Sequence, residues 1–111
     1  MTPEQQRIAL SAALGNLNPR IENGRVIRSA FQSEDGTFFG SGGVPDYLND
    51  LNAMHKAEGV LKNGFGKTNQ VGRYIQELNR IGDRDKINPM FATAAQRAEA
   101  FLRTTGKWVE P

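Results

Sequence analysis

Cysteine is missing from the 111 residues. Disulfides, thiolate metal sites and cysteine nucleophiles are excluded with it, and the composition suits a reducing cytoplasm. Histidine is nearly missing: His55 stands alone, and a zinc site would need several carboxylates beside it. No apolar stretch approaches the roughly 18 residues that span a bilayer. The opening MTPEQQRIAL lacks the basic-then-apolar order of a signal peptide. Hydrophobic residues make up 38%, a little below the globular norm. A chain of this length buries roughly 65% of its unfolded surface. Together these point to one cytoplasmic domain over residues 1–111, with one small core and modest stability.

The net charge of +2 conceals an asymmetry: residues 1–55 sum to −2 and residues 56–109 to +5. A basic half favours an anionic partner such as a nucleic acid. The basic residues are interleaved with acids, however, which is equally the mark of an ordinary solvated surface.

Four helices are expected. Thr2, Pro3 and Gln5 form a capping box with proline at the first helical position. Leu10, Leu14 and Leu17 repeat at helical spacing behind it, and Gly15 is a natural stop. A second helix is expected from Pro45 and Asp46, with Tyr47, Leu48, Leu51, Met54 and Leu61 on one stripe. Val71, Tyr74, Ile75, Leu78 and Ile81 give a third, stopped at Gly82. Thr93 and Gln96 cap a fourth, lined by Ala94, Ala98, Phe101, Leu102 and Thr105 and ended by Gly106. Trp108 is expected to fold back over the core edge.

The segment between the first two helices reads as β. Arg25–Phe31 and Thr37–Phe39 are rich in β-formers, and Asp35-Gly36 between them suits a hairpin turn. Two strands alone are marginal in water, so the hairpin must lean on the helices. The expected class is mainly α with a small β-hairpin (α+β), about four helices around one core.

Site chemistry is sparse. Gly66-Lys67-Thr68 resembles the end of a phosphate loop, but the glycine required five residues earlier is replaced by Leu61 and no strand precedes it. What survives is a weaker anion site: Gly42 and Gly43 before one helix, and Gly66, Lys67, Thr68 and Arg73 around another. Asp46 and Asp50 lie four apart and read as helix-start acids rather than an acid–base pair. Asp83 and Asp85 begin like a calcium loop that Ile87 breaks. His55 has no nucleophile near it in sequence. Arg25 and Arg28 beside Phe38 and Phe39 suit an interaction surface that stacks the bases of a single strand or a nucleotide. The same phenylalanines, with Phe31, suit a core that pins the hairpin, and for at least two of the three the core is the expectation. No catalytic residues, cofactor or metal are expected.

Two longer segments carry a family likeness. Pro45–Glu58, PDYLNDLNAMHKAE, and Phe91–Trp108, FATAAQRAEAFLRTTGKW, resemble motifs of small tailed-phage and prophage proteins. The stretch QRIALSAALG is similar to the first helix of the same group, the phage ABA sandwich domain family. The likeness is close to full length, and the hairpin region and the loop 64–70 depart from it. It implies a bacteriophage origin and helices around a small, variable β element; it brings no catalytic residues.

These readings favour a non-enzymatic phage accessory protein that binds a host or phage protein, an inhibitor of a bacterial defence system being the form considered. A binder of a nucleotide signal or another anion is the alternative, and a nucleic-acid-binding accessory protein follows. No membrane partner is expected, and a homo-oligomer would enlarge the small core.

Overall fold

A computed structural model of the chain describes residues 1–32, 36–63 and 70–110. Helix α1 spans Pro3–Ala13 and has the expected capping box: Thr2 Oγ1 accepts from Gln5 N at 3.1 Å, and Gln5 Oε1 accepts from Thr2 N at 2.9 Å. It stops as expected, with Gly15 at φ +98° just beyond its end, a conformation that glycine adopts freely. Leu17 does not continue the helical stripe; it lies in a strand and is largely exposed.

Six short strands follow: β1 Asn16–Leu17, β2 Arg20–Glu22, β3 Arg25–Arg28, β4 Ala30–Gln32, β5 Phe38–Phe39 and β6 Gly42–Gly43. They form two antiparallel sheets, ordered β1-β4-β5 and β2-β3-β6. The expected single hairpin is therefore corrected. Its second half exists, with Phe31 opposite Phe39 and Gln32 opposite Phe38, and Asp35 of its turn lies outside the described residues. Its first half, Arg25–Arg28, pairs instead with Arg20–Glu22. The connection there is Asn23-Gly24, both at positive φ (+53° and +76°). That two-residue turn matches the right-handed twist of the strands it joins.

Helix α2 spans Leu51–Glu58, shorter than expected. PDYLND offers two acidic caps. Asp46 closes a turn by accepting Asn49 N and Asp50 N on its carbonyl, which leaves Asp50 to cap the helix by accepting Ala53 N at 3.2 Å. Tyr47 and Leu48 are buried from that turn rather than from a helix, and Leu51 is exposed. A four-residue helix, α3, follows at Val60–Asn63.

Helix α4 spans Val71–Asp85 and runs past Gly82 to a left-handed Lys86 at φ +56°. Gly82 is a packing position, not a stop. The chain turns back over it, and a Cβ there would lie 2.9 Å from Ile87 O and 3.0 Å from Pro89 Cγ. Gly82→Ala is therefore expected to destabilise the fold by about 1–2 kcal/mol, because the overpacking exceeds the gain in helix propensity. Urea denaturation of the two proteins checks this; an alanine variant as stable as the parent would mean that the return of the chain is not packed as described.

A 3-10 turn at Pro89–Phe91 leads into α5, Ala94–Thr104, capped by Thr93 and Gln96 as expected. Gly106 at φ +75° reverses the chain after α5, where Lys107 N donates to Leu102 O at 2.8 Å. Trp108 packs half-buried against the core, and the N-terminal ammonium donates to Val109 O at 3.1 Å.

The core is helical. Leu10, Leu14, Met54, Leu61, Tyr74, Leu78, Ile81, Ala98, Phe101 and Leu102 form it, with Tyr47 and Leu48 from the turn. Helix α5 packs against α1, α2 and α4. Its Ala98 and Ala100 are fully buried, and small side chains let neighbouring helices approach closely. The sheets lie to one side, against α1. The fold is α+β, with a larger β component than one hairpin. Among the described residues no helix is long and apolar enough to cross a membrane.

Candidate functional site

Phe38 and Phe39 sit on the edge strand β5 and are 63% and 51% exposed. This overturns the expectation that at least two of the three phenylalanines are core. The strands are too short to fold a second layer over them; β5 has two residues, and consecutive side chains leave a strand on opposite faces. Phe31, half-buried, neighbours both Phe39 and an arginine. Its ring centroid is 5.8 Å from that of Phe39, and the Arg28 guanidinium lies over the Phe31 ring, 4.9 Å from its centroid.

The arginine is held from behind. Arg28 Nη1 donates to Asn16 Oδ1 at 3.0 Å, and the buried Asn16 donates through Nδ2 to Ser11 O at the end of α1. Gly42 lies beside it: a Cβ there would be in ordinary contact with Arg28 Nη2, at 3.7 Å. This gives Gly42 and Gly43 a role other than the expected anion loop. They form the edge strand paired with Arg28 and Ile27.

Phe31 also forms one wall of a pocket of about 350 Å³, with Leu14, Pro45, Tyr47 and Ala57 as apolar lining and Asp50, Asn52 and Lys56 among its polar residues. Burial pushes the Tyr47 phenol above its ordinary pKa, and Arg28 nearby partly offsets this. Tyr47 thus presents a protonated phenol at neutral pH. A pocket of that size matches a small ligand or one apolar side chain.

The remaining expected residues scatter. Arg25 is exposed at the end of β3, opposite Glu22. Arg73 is on α4 and lines a different cleft, with Arg80 and Arg103. Gly66, Lys67 and Thr68 lie outside the described residues. Asp46 is half-buried beside Arg7, with the carboxylate 3.6 Å from Arg7 Nε. Neither it nor Asp50 sits within a helix, so they form no acid–base pair on a helix face.

His55 has a carboxylate partner that sequence spacing did not suggest. Its Nδ1 is 2.9 Å from Glu58 Oε1. Glu58 Oε2 accepts from Tyr74 Oη and, at 3.2 Å, from Arg97 Nη1. One carboxylate therefore joins α2, α4 and α5. Burial, then the Glu58 hydrogen bond, push the Tyr74 pKa strongly upward, so the phenol stays protonated and donates. Tyr74 and Arg97 are 16 and 39 residues from Glu58, too far for any local motif to announce the joint. No cluster of three His, Cys, Asp or Glu that would hold a metal ion occurs among the described residues.

Compared with known proteins, the chain matches no family model, no curated protein and no solved structure.

Proposed function

We propose that the chain is a protein-binding module that docks along the sheet edge at β5, where Phe38 and Phe39 flank the edge on its two faces, with Phe31, Arg28 and the pocket beside Phe31 next to it. The observation that carries this reading is the exposure of two adjacent phenylalanines on an edge strand, next to an arginine fixed by Asn16. Exposed aromatics and arginine are the residue types that dominate interface energetics, because each removes a large area from water on docking. The pocket takes an apolar anchor side chain from the partner. The likeness of Pro45–Glu58 and Phe91–Trp108 to small tailed-phage proteins supports a bacterial host protein as that partner, and a role as a phage accessory factor that blocks a host function such as a defence system. The reading needs no catalysis and no cofactor.

Photo-crosslinking tests it. With benzoylphenylalanine placed at Phe39, irradiation in bacterial cells is expected to give one covalent adduct of defined mass. Adding Phe38→Ser is expected to remove the adduct while changing stability by no more than about 0.5 kcal/mol, as is usual at the surface. The same probe at Gln76, exposed on α4, is expected to give none. Equal adducts from both positions, or none from either, would sink the proposal.

A second reading rests on the pocket alone. Aromatic walls from Phe31 and Tyr47 with Lys56 among the lining residues suit a flat heteroaromatic anion, such as a nucleotide signal. Mono- and cyclic nucleotides would then raise the melting temperature in proportion to their affinity; a flat response at saturating ligand eliminates it.

A further inference from the structure

A polar cleft of about 240 Å³ lies where α4 meets the end of α5, lined by Arg73, Glu77, Arg80, Arg103, Trp108 and Glu110. It shares no residue with the pocket beside Phe31. Arg73, Glu77 and Arg80 fall on one face of α4, at the three- and four-residue spacing of a helix.

Arg103 is fixed in place. Its Nε donates to Glu99 Oε2 at 2.8 Å, its Nη1 donates to Glu110 Oε1 at 2.9 Å, and its guanidinium lies 4.7 Å over the Trp108 ring. Its Nη2 has no such partner among the described residues. Arg73 makes no contact of this kind with any described residue.

Two residues that line the cleft each carry a buried polar atom with no hydrogen-bond partner, and the two atoms are of opposite kind. Trp108 Nε1 is a donor with nothing to donate to. Glu77 Oε2 is an acceptor with no hydrogen bond, on a residue 8% exposed; Arg80 stands 3.6 Å away, beyond hydrogen-bonding distance. Buried polar groups are normally satisfied, because an orphan is destabilising. A molecule that satisfies both must bring anionic oxygens for the indole and the guanidiniums, and a hydrogen-bond donor for Glu77.

We infer that this cleft binds hydrogen phosphate, an oxyanion that keeps a proton on one oxygen. Its free oxygens accept from Trp108 Nε1 and from Arg73 and Arg103, whose forked donors match phosphate geometry. Its P–OH donates to Glu77 Oε2. Sulfate has the same shape and no proton at neutral pH, so it would set an oxygen against the carboxylate. A site built around a hydroxyl rejects analogues that lack it. A phosphomonoester loses its last proton near pH 6, so free phosphate is favoured over an ester at pH 7, and the two converge in more acidic solution.

Trp108 is the only tryptophan, so its fluorescence reads the cleft directly. Titration of the whole chain at constant ionic strength is expected to give a saturable change with phosphate and one at least about tenfold weaker with sulfate. A nucleoside monophosphate run beside them separates free phosphate from an ester: weaker binding at neutral pH that approaches phosphate in acid supports the assignment. Arg73→Gln, which removes no contact within the described fold, is expected to weaken phosphate about tenfold. Glu77→Gln removes the charge that repels sulfate and replaces one acceptor oxygen by a donor amide, and is expected to abolish the preference for phosphate over sulfate. No saturable response to phosphate, sulfate binding as tight as phosphate, or indifference to Arg73→Gln would each overturn the inference.

Discussion

Phe101→Ala is expected to lower the unfolding free energy by about 3–5 kcal/mol, the range for emptying a buried phenylalanine site. Phe101 is 1% exposed and belongs to the same buried cluster as residues of α1, α2 and α4. Its neighbours Ala98 and Ala100 carry no volume with which to refill the space, so the cavity stays open. Domains of this size have only about 5–15 kcal/mol of stability in all, and the variant would lose a large part of it. Thermal unfolding should show a fall in Tm on the order of 15 °C. Phe101→Leu keeps most of the volume and should lose less than half as much. Phe38→Ala, at an exposed ring, should stay within about 0.5 kcal/mol of the parent. If the alanine at 101 behaved like the alanine at 38, α5 would not be the helix around which the others pack.

The helices were legible because their ends carry short-range chemistry. Thr2 with Gln5, and Thr93 with Gln96, satisfy each other's backbone within four residues, and both capping boxes form. Where the deciding contact is long-range, local patterns mislead. Gly82 has the composition of a stop, yet its role depends on Ile87 and Pro89 folding back onto it. Leu51 and Ile75 fit apolar stripes, yet they are 41% and 51% exposed, since periodicity marks a face without showing whether a partner covers it. Asn23-Gly24 was a stronger hairpin signal than Asp35-Gly36 by the same turn chemistry. The run before it, Arg20–Glu22, is too short to read as a strand from its sequence.

The candidate face was legible in its residues and not in its arrangement. Arg28, Phe38 and Phe39 stand out as types that bind partners, but composition could not say whether the aromatic rings point outward. Two antiparallel registers decide it: β4-β5 places Phe31 opposite Phe39, and β3-β6 places Arg28 opposite Gly42. Asn16, which holds Arg28, carries no sequence signal at all. The Glu58 joint and the Arg103–Trp108 cleft are invisible for the same reason, since each gathers side chains from different helices.

Acid should loosen this fold through one carboxylate in particular. Glu99, 8% exposed, accepts from Arg84 at 2.7 and 3.0 Å and from Arg103 at 2.8 Å. Burial alone would raise its pKa, but the hydrogen bonds from Arg84 and Arg103 outweigh burial and leave it below the ordinary value of 4.5. Arg84 also donates to Asp85, whose pKa is lowered to about 2 by the Arg84 and Gln96 hydrogen bonds. A carboxylate with a depressed folded pKa binds fewer protons folded than unfolded. Its stabilisation is complete above the unfolded value and is lost as pH falls through the folded one, so stability should be level near neutrality and decline from about pH 4.5 towards pH 2. Glu99→Gln keeps the shape and removes the charge. At pH 7 it is expected to destabilise by about 2–3 kcal/mol, the scale of charge-assisted hydrogen bonds reduced by the exposure of Arg84. Once pH has fallen through the folded pKa of Glu99 the parent carboxyl carries its proton too, and the urea midpoints of the two proteins should converge. A gap that stays constant from pH 7 to pH 2 would show that Glu99 acts by shape rather than by charge, and would remove the ion-pair network from the account of how α4 is fastened to α5.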